Sequence, residues 1–275
     1  SQFLSRVIGV MLDHVLTLYP FFTTPSYHKL ESLSFDDKIG ALKQPEMRAR
    51  ILSEAVDPDP TIVLGRLVRE FDHMFLLGDP PDYEQPFDKS IRALAQRASV
   101  TPEELVYDLM LERDGHNMLY VTLCNYEYGS LESSLAMMRH PGAVLGLGDG
   151  GAHCGTICDG SFPTFMLSYW VRDRTRGERL SLSETVRMLS RDAARAVGLE
   201  DRGVIAPGYK ADLNVIDLDQ LRLYAPEVAH DLPTGGRRLV QRADGYCATI
   251  VSGRIVHRNG SPTGELSGRL VRGPQ

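Results

Sequence analysis

Cysteine is scarce in this sequence. Four thiols in 275 residues, Cys124, Cys154, Cys158 and Cys247, exclude a disulfide framework and point to a reducing, cytoplasmic setting. Cys154 and Cys158 are spaced more widely than the pairs of zinc knuckles and no second pair follows, so they read as small packed thiols. Long apolar runs are missing as well. Residues 7–12, VIGVML, fall far short of the roughly 18 to 20 residues that cross a membrane. A single Arg6 precedes that run and no small-residue cleavage site follows it, so it is read as a buried strand rather than a secretory leader. Positive charge is not in excess: 30 Lys and Arg against 36 Asp and Glu leave −6, which argues against a nucleic-acid partner.

Several catalytic signatures are absent. There is no G-x-S-x-G elbow, no G-x-x-x-x-G-K-[ST] phosphate loop, and no G-x-G-x-x-G followed by a ribose-binding acid. The eight histidines show neither H-x-H nor H-E-x-x-H spacing. What remains is a composition that is 43% hydrophobic and 24% charged, that of a soluble globular chain forming one large domain or two smaller ones.

Along the chain, residues 21–99 read as loop and short helix. Asp36 and Asp37 are placed to cap a turn running to Lys43, and Pro45 suits the first position of a following helix. Asp79, Asp82 and Glu84 read as solvated loop charge. Thr101-Pro-Glu-Glu104 is a capping box that opens a helix, and residues 119–124 are β-rich. Residues 143–147 form a short apolar strand that ends at a glycine turn. Ser181 and Glu184 make a second capping box, followed by a stripe of Leu182, Val186, Leu189, Ala193 and Val197, with Gly198 placed to end that helix. Beyond it the texture turns to β, including a hairpin at Ser252-Gly253.

Residues 146–153, GLGDGGAH, are the most informative. A strand ending in glycines and one carboxylate can place that carboxylate at the mouth of an α/β barrel, where glycines allow close approach to a substrate or metal. Asp149 fits that role, and Asp-Gly is equally an ordinary turn dipeptide. His153 lies four residues on, where it either converges with Asp149 or serves structurally.

Four stretches, residues 145–153, 181–198, 203–213 and 248–256, together resemble the amidohydrolase superfamily. Residues 20–27 (PFFTTPSY) and 158–163 (CDGSFP) add a resemblance to its D-aminoacylase, or N-acyl-D-amino-acid deacylase, group. The resemblance implies an α/β fold: residues 1–198 as the C-terminal part of a TIM-like (β/α)8 metal-dependent hydrolase barrel, with a helical insertion at about 21–99, and residues 199–275 as a small β-sandwich module. It implies a zinc-dependent hydrolase of a linear N-acyl amide, with Asp149 as metal contact and general base. His153, Tyr27 and Arg6 are substrate-contact candidates. The family's H-x-H and middle-strand histidines have no counterpart here. One or two zinc ions would therefore need ligands outside this chain, and the chain alone is expected to be inactive, its partner a missing N-terminal barrel half or a second copy. A cyclic-amide hydrolase of the dihydroorotase or dihydropyrimidinase kind, and a non-catalytic partner subunit, are the alternative expectations.

Overall fold

The computed structural model describes residues 1–54, 63–146 and 153–272. From the amino terminus the elements run β1 (Gln2–Phe3), β2 (Ile8–Leu12), α1 (Pro25–His28), α2 (Phe35–Leu42), α3 (Pro45–Glu54), α4 (Val63–Leu67), β3 (Met74–Leu76), α5 (Ile91–Ala98), α6 (Pro102–Leu111), β4 (Leu119–Cys124), α7 (Glu132–Met138) and β5 (Val144–Leu145). Then follow α8 (Phe162–Phe165), α9 (Leu182–Arg187) and α10 (Ala193–Ala196). π-Helical turns extend α8 over Met166–Asp173 and join α9 to α10 over Met188–Asp192. The last strands are β6 (Leu213–Ile216), β7 (Arg222–Leu223), β8 (Glu227–Leu232), β9 (Gly236–Val240), β10 (Ala243–Asp244), β11 (Tyr246–Val251), β12 (Arg254–Arg258) and β13 (Ser261–Pro262).

The chain is mixed α/β, and among the described residues no sheet closes into a barrel. β1 and β5 form the one parallel pair described there. The run at 7–12 is the expected strand, but it lies in an antiparallel sheet of order β2-β4-β3. The carboxy-terminal strands make a four-stranded antiparallel sheet, β13-β12-β11-β6, and two pairs, β7 with β10 and β8 with β9. Among the described residues no helix is long and apolar enough to cross a membrane.

Strand alternation splits the core in two. On β4, Tyr120 points into a cluster with Phe3, Met11, Phe75, Tyr83 and Trp170, whereas Leu119 and Val121 enter a second cluster with Leu12, Phe21, Ile39 and Met110. Successive side chains of a strand face opposite ways, so one strand serves both. Gly9 is required where β2 crosses β4, since a Cβ there would lie 2.4 Å from the Val121 carbonyl and 2.6 Å from the Tyr120 ring.

Local signals account for many of these elements. Thr101 caps α6 in the full capping box, its hydroxyl accepting from Glu104 N while the Glu104 carboxylate accepts from Thr101 N. Pro45 opens α3. The cap of α2 is Ser34, whose hydroxyl accepts from Asp37 N, so Asp36 and Asp37 sit in the first turn, where the helix dipole favours them. Ser252 and Gly253 both adopt positive φ, the two-residue turn that matches strand twist between β11 and β12. The region 21–99 holds short helices as expected, and also β3, too short a run to announce itself. The stripe on α9 does not face the core: Thr185 and Met188 are buried instead, while Leu182 and Val186 stay about half exposed. That stripe lines an open apolar groove with Leu145, Phe162 and Ile216.

Glu84 corrects the reading of a solvated acidic loop. It is 1% exposed, and Arg174, itself fully buried, donates to both of its oxygens at 2.9 Å. Tyr169 Oη (2.6 Å) and Leu131 N (2.7 Å) complete its shell. Burial alone would raise the Glu84 pKa, but these donors, Arg174 foremost, hold it below the usual carboxylate range. Arg174 also stacks 4.4 Å from the Trp170 ring. This pair joins the loop at 84 to the amino end of α7 and to the end of the helix that begins at α8. Glu84→Gln takes from the buried guanidinium its buried carboxylate and leaves it only the carboxylate of Glu132, half exposed at 2.7 Å, and is expected to cost about 1 to 3 kcal/mol in urea unfolding. A loss under about 1 kcal/mol would contradict the assigned burial.

Candidate functional site

Asp149 lies in residues 147–152, outside the described residues. The chain is described again from His153, which is exposed and adopts a positive φ of 48°. Its carbonyl accepts from Thr156 N at 2.7 Å and Ile157 N at 3.0 Å, closing a tight turn. Three backbone bonds then fix the loop that leaves the Asp149 segment: Met11 N to Thr156 O (2.8 Å), Thr17 N to Gly155 O (3.1 Å) and Leu239 N to Cys154 O (2.8 Å). Gly155 is needed there because a Cβ would come within 2.6 Å of the Thr17 hydroxyl. The loop is thereby stitched to the turn after β2 on one side and to β9 on the other.

Arg6 anchors its far end. The guanidinium is fully buried. It donates to Asp159 Oδ1 at 2.7 Å, to the Cys158 carbonyl, and to Ser161 Oγ at 3.2 Å. It also lies 4.0 Å from the centre of the Tyr83 ring. Ser161 in turn donates to Gln241 Oε1, and Gln241 Nε2 donates to Tyr83 Oη (3.1 Å) and to the Tyr224 carbonyl (2.8 Å). Burial pushes the Cys158 thiol up to about 11, so it is a packed thiol and not a nucleophile. Between this loop and the β8–β9 hairpin opens a cavity of about 760 Å3.

Tyr27 occupies a neighbouring cluster. It is 3% exposed and stacks on Tyr19 at 4.3 Å, and Tyr19 packs on His14 at 4.5 Å. Lys38 Nζ donates to the His14 carbonyl at 3.2 Å and lies 5.8 Å from the Tyr27 ring. His14 Nε2 bonds the Met110 carbonyl at 3.1 Å, which makes Nε2 the protonated nitrogen. Burial lowers His14 to about 4 and raises Asp13 and the Tyr27 phenol. The three described site candidates therefore separate. Arg6 meets the loop that follows Asp149, Tyr27 sits in the second core cluster, and His153 is on the surface. Asp159, Ser161 and Gln241, which build the network, had no role assigned from sequence. CDGS at 158–161 was a visible signal for two of them; Gln241, 80 residues on, had none.

The model of the amidohydrolase family matches residues 2–257. A 5-methylthioadenosine/S-adenosylhomocysteine deaminase of Desulfitobacterium hafniense is 35% identical over 101 residues, 36% of this chain and 23% of its own length. A dihydroorotase of Methanothermobacter thermautotrophicus is 42% identical over 97 residues, 34% of this chain and 22% of its own. The match thus spans less than a quarter of these curated relatives. Solved D-aminoacylase structures align at TM-scores of 0.40 and 0.37 with 19% and 18% identity, over 72% and 70% of this chain and 37% and 36% of theirs.

The His14 geometry gives a pH dependence. Its folded pKa lies below the ordinary 6.5, so the unfolded chain takes up the proton first. The stability it contributes is complete above about pH 6.5 and is lost as the pH falls towards 4, a change of about 3 kcal/mol. His14→Gln is expected to flatten the pH dependence of urea unfolding across that window; a slope equal to that of the wild type would contradict it.

Proposed function

The chain belongs to the amidohydrolase family, and from that premise we propose that it supplies one part of a hydrolase cleaving the linear amide of an N-acyl amino acid, of D configuration. The observation that carries this reading is the loop 153–161, which leaves the Asp149 segment and forms the wall of a cavity large enough for a small molecule. In this reading Asp149 takes a proton from the water that attacks the amide carbonyl and returns it to the departing amine. Arg6 acts at one remove: fully buried and paired to Asp159, it holds the 158–161 loop and the Ser161 hydroxyl in place and is a positioning residue. His153 orients Asp149 or the substrate, and Tyr27 is a candidate contact for the acyl group.

Amidohydrolase chemistry implies a metal, zinc in this reading. The described residues do not fit one: no group of three or more His, Cys, Asp or Glu among them could hold an ion. The ion's ligands would have to come from outside them, and no step here is routed through it. The half-exposed apolar stripe Leu182 and Val186, and β5 at the edge of a two-stranded parallel pair, support completion by a further barrel segment or by a second copy. In a parallel sheet both faces are normally covered. Residues 1–198 would then belong to the barrel and 199–275 to a β-sandwich module, in a cytoplasmic protein with neither a nucleic acid nor a membrane as partner. A second reading, hydrolysis of a cyclic amide, is favoured by the 42% identity to a dihydroorotase.

In the assembled protein, Asp149→Asn is expected to lower turnover of N-acyl-D-amino acids by about a hundredfold or more while fold and metal content stay nearly unchanged. Turnover retained at the wild-type rate would remove Asp149 from the reaction. Faster cleavage of a cyclic amide such as dihydroorotate would select the second reading.

A further inference from the structure

The cavity between the 154–164 loop and the β8–β9 hairpin has a chemistry of its own. Its apolar wall comes from Ile157, Leu223, Leu232, Leu239, Val240 and Ala243. Its polar side chains are as many but already engaged with protein: Ser161 and Gln241 hold each other, Thr164 bonds Tyr246, and Asp159 faces Arg6. The guanidinium at the opposite rim, Arg238, is taken up by Asp231 through two bonds of 2.7 and 2.8 Å. Arg238, the cation among the lining residues, thus has its carboxylate, Arg6 behind the wall has Asp159, and a further anion entering would lose its hydration without gaining a free counter-charge. An aliphatic chain, by contrast, would bury its surface against six apolar side chains, and one amide or hydroxyl could share the Ser161–Gln241 pair.

We infer that this cavity is the subsite for a neutral, aliphatic acyl group, and that it discriminates against acyl groups ending in a carboxylate. The inference rests on the amide-hydrolase reading for the word acyl. The binding chemistry itself is a property of the cavity.

Calorimetric titration of the 275-residue chain with octanamide, acetamide and octanoate tests it. Octanamide is expected to bind about tenfold tighter or better than acetamide, since its chain is what the apolar wall takes up. It should exceed octanoate by a similar factor, since the carboxylate finds no free cation. Ala243→Trp fills the cavity and is expected to abolish octanamide binding with the circular dichroism spectrum unchanged. Should that variant fail to fold, alkylation of Cys154, a partly exposed thiol on the cavity wall, serves in a chain carrying Cys124→Ser and Cys247→Ser. Octanamide is expected to slow it severalfold, octanoate to leave it unchanged. No octanamide binding, octanoate binding as tight as octanamide, or undiminished alkylation of Cys154 in its presence would each overturn the subsite. These are binding readouts, so their success or failure is separate from whether an amide is cleaved. Cleavage without octanamide binding would overturn the subsite and leave the hydrolase reading standing.

Discussion

A guanidinium with no water around it constrains the candidate site. Arg6 is fully buried, and taking such a cation out of solvent costs several kcal/mol unless its surroundings answer for it. Here they answer for its two terminal nitrogens, through Asp159, the Cys158 carbonyl, Ser161 and the face of Tyr83, while Nε has no partner among the described residues. Those partners come from two regions far from Arg6 in sequence, residues 158–161 and Tyr83. Satisfying one side chain therefore places the 158–161 loop against Tyr83, and through Ser161 brings in Gln241 at the end of the hairpin. The walls of the cavity follow from that one obligation.

The Glu84–Arg174 pair plays the same part elsewhere in the scaffold. Both ends are buried, and the carboxylate has four donors around it, so the loop at 84 is tied to α7 and the end of the α8 helix. Two buried ion pairs in one chain are a poor route to raw stability, because apolar replacements of similar shape often do as well. Their effect here is to fix relative positions: each one joins segments more than 80 residues apart.

Much of the local structure was legible in the sequence because its causes are local. The Thr101 box, Pro45 at the head of α3 and the Ser252-Gly253 turn are written within four residues, and the structure follows them. The CDGS stretch marked the loop that Arg6 and Gln241 hold. What could not be read depends on distance. Glu84 looked like surface charge because its partner is 90 residues away. β3 is three residues whose strand character comes only from pairing with β4. Leu182 and Val186 form a correct helical stripe, but a stripe does not say what covers it, and the described residues leave it open. Arg6 and Tyr27 were grouped as contacts on sequence grounds, but Arg6 packs on Tyr83 of one core cluster and Tyr27 belongs to the other.

The central claim is that this chain carries Asp149 and a cavity walled by the loop that follows it in sequence, with no metal-holding set among the described residues. Zinc content per chain of the purified 275 residues, by elemental analysis after dialysis against a weak chelator, tests it most directly. The account predicts zinc well below one equivalent. One or more equivalents retained would show that Asp149, His153 and other residues already form a complete site, and would contradict it.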